Sequence, residues 1–211
     1  RAQQAAKMAN RMKADVIIYG TIENTGDAYL LKPEFFVNTR NFQEAEEIVG
    51  QHQLGSDIRI LGDEDQNPTQ IILNRELSHR SQVLALISKG LAMLFTHQYE
   101  DALAMFQAAN ADQLWEFNAG REVVYLFEGN AAGKANLLPQ AEQAFQDALQ
   151  IDPEYARAYA GLGSVYYTYS LQDLSSQNFN PNRDDLQKAL ECFQSAEQAS
   201  HKPASANIPA K

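Results

Sequence analysis

The 211-residue sequence has one cysteine, Cys192, and no apolar run near the ~20 residues that span a bilayer. One cysteine excludes an internal disulfide framework and favours a reducing compartment such as the cytoplasm. Basic residues are also scarce, with 17 Lys and Arg against 27 Asp and Glu and a formal net charge of −10. Binding to nucleic acid needs clustered Lys and Arg that neutralise phosphates. We therefore expect neither a nucleic-acid partner nor direct membrane insertion of this stretch.

The chain does not begin with Met, and it opens inside a helical pattern of alanines and methionines from Ala2 to Met12. We expect it to be a piece of a longer protein, so a targeting or membrane segment could precede Arg1. A periplasmic or membrane-anchored location therefore stays open beside the cytoplasmic one. The sequence leaves the localisation and the oligomeric state unknown.

Patterns typical of catalysis and of cofactor or metal binding are absent. The four histidines lack the spacing and the cysteine partners of a zinc site, so we expect each at the surface or in a turn. Cys192 lies beside a packed helix face, which indicates an inert thiol. The acidic run 63–65 lacks the glycine and distal Glu of a calcium loop, which favours a solvated linker. We predict no catalytic residue, no cofactor and no metal, and a protein that is not an enzyme.

An internal repeat occupies the second half of the chain. Gly90 and Gly129 are followed about a dozen residues later by the pattern Ala-x-x-x-Phe-x-x-Ala, and Gly163 is followed by the same pattern beyond an insertion at 170–183. The three patterns are Ala102, Phe106, Ala109; Ala141, Phe145, Ala148; and Ala189, Phe193, Ala196. These offsets place all three residues on one helix face, where two small side chains let a neighbouring helix approach and the Phe fills the gap.

This pattern resembles the tetratricopeptide-repeat family, whose unit is a helix-turn-helix of about 34 residues. The match in the central repeat consists of Gly129, Ala141, Phe145, Ala148 and Pro153. The resemblance implies three repeats, at about 83–116, 122–155 and 156–200, and the polar insertion 170–183 is expected to project as a loop. The start signal Asn67-Pro68 predicts a capping helix over 68–77.

The first 62 residues predict a small α/β segment. A helix is followed by β-rich runs at Asp15–Tyr19, Ala28–Val37, Glu47–Leu54 and Asp57–Leu61. Pro33 predicts that the second run is an edge or interrupted strand. The stretch ending in Asp-Val-Ile-Ile-Tyr-Gly-Thr-Ile resembles the second half of the α/β domain of TolB-like and CsgG-like bacterial envelope proteins.

The predicted fold class is α+β, with a partial α/β domain at 1–62 and an all-α tetratricopeptide-repeat solenoid of three helix pairs at 67–200. We expect two separate cores, joined in the acidic stretch Gly62–Asn67, where the composition changes from β-rich to helical.

In the tetratricopeptide-repeat family, the first helices of the repeats line a concave groove that binds a peptide or partner protein. The family register places the following residues in that groove: Leu91, Phe95, Leu126, Asn130, Lys134, Arg157, Ser164, Tyr167 and Thr168. Chaperone-binding members hold a carboxylate there with Lys, Asn and Arg, and only Asn130 fits that role here.

Three hypotheses about function follow. The first is a scaffold whose groove binds a peptide or partner protein, with Lys134 and Arg157 attracting an acidic segment. The second is a regulatory or sensor module of a larger, envelope-associated bacterial protein whose α/β segment binds a ligand. The third, an enzyme fragment, is disfavoured because no catalytic constellation is present. Two alternatives stay open for the groove: the insertion 170–183 or the N-terminal segment fills it, and the apolar residues of the first repeat are buried.

Overall fold

The computed structural model describes residues 2–26, 28–39, 46–55, 57–61, 68–115, 118, 120–172 and 183–201. It has an N-terminal helix, a four-stranded antiparallel sheet and six further helices, which confirms the α+β class. In chain order the elements are α1 (Ala2–Met12), β1 (Val16–Asn24), β2 (Ala28–Val37), β3 (Gly50–Gln53), β4 (Ile58–Leu61), α2 (Pro68–Phe95), α3 (Tyr99–Ala109), α4 (Arg121–Lys134), α5 (Leu138–Ile151), α6 (Ala156–Gln172) and α7 (Arg183–His201). Short 3-10 helices lie at Glu46–Ile48 and Asp112–Leu114.

β2 is the central strand of the sheet. β1 pairs with β2 along its whole length, while β3 pairs with residues 34–37 and β4 with residues 28–31 on the other side. Of the two alternatives predicted from Pro33, the edge strand is therefore wrong, while an interruption is present in the pairing on the side of β3 and β4, where residues 32–33 are unpaired. The carbonyl of Pro33 accepts a hydrogen bond from the Leu54 amide at 3.2 Å, so its nitrogen faces the same side, in the gap between β3 and β4. Since neither strand pairs there, the missing N–H costs no ladder hydrogen bond.

Helices α2 to α7 pack as three pairs, α2 with α3, α4 with α5 and α6 with α7. Each pair is held by a contact between a glycine and a phenylalanine. A Cβ added to Gly90 would lie 2.6 Å from the Phe106 ring, and one added to Gly129 would lie 2.6 Å from the Phe145 ring. The third pair repeats the contact between Gly163 and Phe193, at 2.8 Å. This is the helix packing that the repeat pattern predicts.

Two predicted boundaries differ from the structure. α2 runs without a break from Pro68 to Phe95, so the separate capping helix at 68–77 is wrong. Neither Gly nor Pro occurs between Leu77 and Val83, so nothing ends the helix there. The insertion predicted at 170–183 is also shorter, because α6 extends to Gln172 and α7 begins at Arg183. Residues 173–182 lie outside the described part of the chain.

The main core contains side chains from both halves of the chain. Phe35 and Val37 of β2 and Ile48 pack in one buried cluster with residues of α2 to α6. Phe36, between them in sequence, packs on the opposite face of the sheet against Ala5 and Ala9 of α1. The sheet therefore lies between α1 and the helix pairs, since alternate residues of a strand point to opposite faces.

The expectation of two separate cores is wrong, because β2 contributes Phe35 and Val37 to the same cluster as the helices. The proposed junction, residues 62–67, lies outside the described residues. The domain ranges 1–62 and 67–200 therefore stay a prediction.

Candidate functional site

The N-terminal segment packs into the predicted groove at Arg157. The Nη1 atom of Arg157 donates to the Glu47 carbonyl oxygen at 3.2 Å, and it lies 3.2 Å and 2.8 Å from Nδ1 and Nε2 of His52. The imidazole is stacked on the Phe35 ring at a centroid distance of 5.0 Å and lies 5.3 Å from the Phe127 ring. Arg157 thus ties α6 to the sheet, and at this position the N-terminal segment occupies the groove.

His52 is a buried neutral imidazole, so the expectation of a surface or turn histidine is wrong for this residue. Burial, followed by the Arg157 guanidinium, lowers its pKa from 6.5 to about 3. Nε2 lies 2.8 Å from the Ile48 carbonyl oxygen. A carbonyl oxygen only accepts hydrogen bonds, so the contact with Ile48 assigns the ring proton to Nε2 and leaves Nδ1 as the ring atom that can accept from Arg157, although Nη1 lies closer to Nε2. The neutral ring therefore bridges a backbone acceptor and a cation.

Beside this contact, a pocket of about 280 Å³ opens between the last turns of α4 and the middle of α6. Its walls include Asn130 and Lys134 on α4, Ser164 and Thr168 on α6, and Glu47 from the sheet side. The structure thus brings four of the predicted groove residues to one opening. Glu47 was not predicted, because it lies far away in the sequence and no local pattern links it to the repeats.

Glycines leave the space that this pocket occupies. A Cβ at Gly133 would meet only the Cβ of Ala141, at 4.0 Å, so this glycine opens the pocket without a packing constraint. A Cβ at Gly161 would instead lie 2.4 Å from the Phe145 ring, so glycine is required there for packing. Phe145 forms part of the pocket floor. Gly161 and Gly163 are two residues apart and so lie on opposite faces of α6. Since Gly163 meets Phe193 of its own pair, this spacing is a sequence signal that places Gly161 against Phe145 of the preceding pair.

The other predicted groove residues lie elsewhere. Leu91 and Phe95 line a separate pocket of about 410 Å³ between α2 and β1. Leu91 and Leu126 are buried in the main core. For Leu91 this agrees with the alternative that apolar residues of the first repeat are buried, whereas Phe95 of the same repeat is exposed. Tyr167 is half exposed on α6 and is not among the residues that line either pocket.

No protein-family model matches the chain, and none of the curated proteins matches it at a significant level. Among solved structures, the chain is similar to a tetratricopeptide-repeat domain. That structure is the second TPR of Spaghetti (RPAP3) bound to the HSP90 peptide SRMEEVD, with 14% sequence identity and a TM-score of 0.48. The similarity covers 65% of this chain and 100% of that chain. A structural similarity with this identity and TM-score assigns neither a ligand nor a function to this chain. The resemblance to TolB-like and CsgG-like domains and the sensor hypothesis gain no support from these comparisons.

The described residues contain neither a metal cluster nor a membrane-spanning helix. There, no three His, Cys, Asp or Glu side chains come together in a way that could hold a metal ion. In the same part of the chain, no helix combines the length and apolar character that crossing a membrane requires. Cys192 is half buried, and burial raises the pKa of its thiol, which agrees with the expected inert cysteine.

Proposed function

We propose that this protein is a non-enzymatic interaction scaffold that binds a peptide segment of a partner protein in the pocket between α4 and α6. The observation that carries this proposal is the arrangement of polar residues in two facing rows. Asn130 and Lys134 lie one turn apart on α4, and Ser164 and Thr168 lie one turn apart on α6. Residues four apart share a helix face, so both rows point into the same opening.

The sheet segment limits what this groove can accept. It engages Arg157 through His52 and the Glu47 carbonyl, so this residue is already committed within the protein. The remaining opening of about 280 Å³ is close to the lower end, about 300 Å³, of pockets that hold small ligands. Such an opening suits one or two side chains of an extended peptide better than a whole helix.

The test is selection of peptides from a random library on the wild-type chain, followed by affinity measurements with two variants. Ser164→Tyr places a large ring in the pocket from an exposed position and should weaken binding of the selected peptides roughly tenfold or more, because tight pocket contacts dominate peptide affinity. Gln194→Tyr, at an exposed position on α7, is the matched control and should leave affinity unchanged. Equal affinity of wild type and Ser164→Tyr for every selected peptide would refute the proposal. Substitution of Arg157 is unsuitable, since it would also release the sheet.

A further inference from the structure

We propose that the pocket between α4 and α6 selects the side chain of an arginine or lysine in the partner peptide, and does not select a carboxylate. This inference rests on the proposed function and names the chemistry that the same pocket recognises. It reverses the expectation, drawn from Lys134 and Arg157 in the sequence, that the groove attracts an acidic segment.

The hydroxyl groups on α6 are oriented as acceptors toward the pocket. Ser164 Oγ donates to the Ala160 carbonyl oxygen at 3.0 Å, and Thr168 Oγ1 donates to the Ser164 carbonyl oxygen at 2.8 Å. A carbonyl oxygen has no proton to donate, so each hydroxyl proton is directed at its own helix. A ligand in the pocket can therefore use only the lone pairs of both oxygens, as hydrogen-bond acceptors.

Two further acceptors come from the other walls. Asn130 Nδ2 donates to the Leu126 carbonyl oxygen at 3.0 Å, which directs one of its two amide N–H bonds at α4 and leaves Oδ1 as an acceptor beside the second N–H. Glu47 adds a carboxylate residue to the lining from the sheet side. Acceptors thus surround the opening from three separate elements, an arrangement that matches a ligand rich in hydrogen-bond donors.

The pocket floor suits the stem of a long basic side chain. Leu138, Phe145 and Val165 form apolar parts of the lining. Arg and Lys combine an aliphatic stem, which gains from apolar contact, with a cationic head that needs acceptors. Arg also presents five donors in a planar fork and can lie against an aromatic ring.

Lys134 is the lining residue whose positive charge would repel a bound cation. It is exposed and lies in the last turn of α4, where the negative end of the helix dipole partly offsets its charge. Arg157 keeps its positive charge, because both of its partners are neutral, but its Nη1 is committed to the Glu47 carbonyl and the His52 ring, and Arg157 is not among the residues that line the pocket. The net charge of −10 attracts cations at longer range.

The test uses three acetylated and amidated tripeptides as probes: Ala-Arg-Ala, Ala-Glu-Ala and Ala-norleucine-Ala. Each is titrated into the full chain, and NMR shifts of the amides of Asn130, Ser164 and Thr168 report binding in the pocket. We expect saturable shifts with the arginine probe and none with the glutamate probe. Lys134→Gln should strengthen binding of the arginine probe roughly threefold, because it removes a like charge at the rim. Thr168→Val keeps the side-chain shape, removes one acceptor and should weaken it roughly tenfold.

The outcomes separate this inference from the proposed function. Saturable binding of the glutamate probe, or weaker binding of the arginine probe to Lys134→Gln than to wild type, would overturn the cation preference. Equal binding of the norleucine and arginine probes would also overturn it, since the pocket would then be only apolar. In all these cases library peptides that depend on Ser164 would still support the scaffold proposal. If all library peptides bind Ser164→Tyr with the same affinity as wild type, both the cation preference and the scaffold proposal would be refuted.

Discussion

Burial of His52 predicts that the protein loses stability in mild acid. Its pKa is about 3 in the folded state, against 6.5 for the unperturbed imidazole of the unfolded chain. Since the folded-state pKa is lowered, the unfolded chain binds the proton first as the pH falls. The stabilisation is therefore fully present above pH 6.5 and is lost as the pH drops from 6.5 toward 3.

The size of the effect follows from the same two pKa values. Between pH 8 and pH 5, protonation of the unfolded imidazole alone lowers the free energy of unfolding by about 2 kcal/mol. Glu122 and Glu128 act in the opposite direction, because burial raises the pKa of both carboxyl groups and acid then favours the folded state. The wild-type slope mixes these contributions. The quantity to compare is the difference in stability between wild type and a His52 variant at each pH.

Urea unfolding at pH 8, 6.5 and 5 measures this difference. The variant His52→Gln does not titrate, and its amide can still donate to the Ile48 carbonyl and accept from Arg157. It should be less stable than wild type at pH 8, and the gap should shrink by about 2 kcal/mol at pH 5. Gln140→Ala, at an exposed position on α5, is the matched control. It adds and removes no titrating group, so its gap to wild type should stay constant.

A gap between wild type and His52→Gln that does not change from pH 8 to pH 5 would refute the reasoning. It would mean that His52 titrates alike in both states and is therefore solvated. The packing of the sheet against Arg157 would then be wrong as well.

Two further predictions concern the core. Phe145→Ala should lower the free energy of unfolding by about 3 to 5 kcal/mol, because it removes a buried ring that fills the space at Gly129 and Gly161. Denaturant melts would contradict the repeat register if the loss were below ~1 kcal/mol, and Gln140→Ala, at an exposed position on α5, is the control. Limited proteolysis is expected to cut near Asp63–Gln66, and the two pieces should still elute together in gel filtration, because Phe35 and Val37 share the main core with the helices. Separation of the pieces under native conditions would favour two independent domains.

Local periodicity accounts for what the sequence predicts well. The contact of Phe145 with Gly129 follows from a fixed spacing within one repeat, and a helix pair brings such residues together whatever the rest of the chain does. The rows Asn130 and Lys134, and Ser164 and Thr168, follow from the same register. The four β-rich runs also predict the four strands, since strand propensity and turn residues are local signals.

The features that the sequence predicts wrongly depend on contacts with residues that are distant in sequence. Pro33 lies in a central strand because β3 and β4 leave a gap opposite it, and only the pairing register reveals that gap. His52 is buried because Arg157, 105 residues later, meets it across the core. Nothing near His52 in the sequence distinguishes it from a surface histidine. The same holds for Glu47, which completes the pocket from the sheet side.

The sheet segment changes the chemistry of the groove as well as its size. In the sequence, Lys134 and Arg157 are two cations at groove positions, which suggests an anionic ligand. In the structure, one of them is engaged by a carbonyl oxygen and a neutral imidazole, neither of which carries a charge. The same segment brings Glu47 to the pocket, so the lining contains an acidic residue and only one of the two cations, Lys134. The proposed ligand preference therefore depends on the sheet and the repeats together, whereas the repeat register alone suggests an anionic ligand.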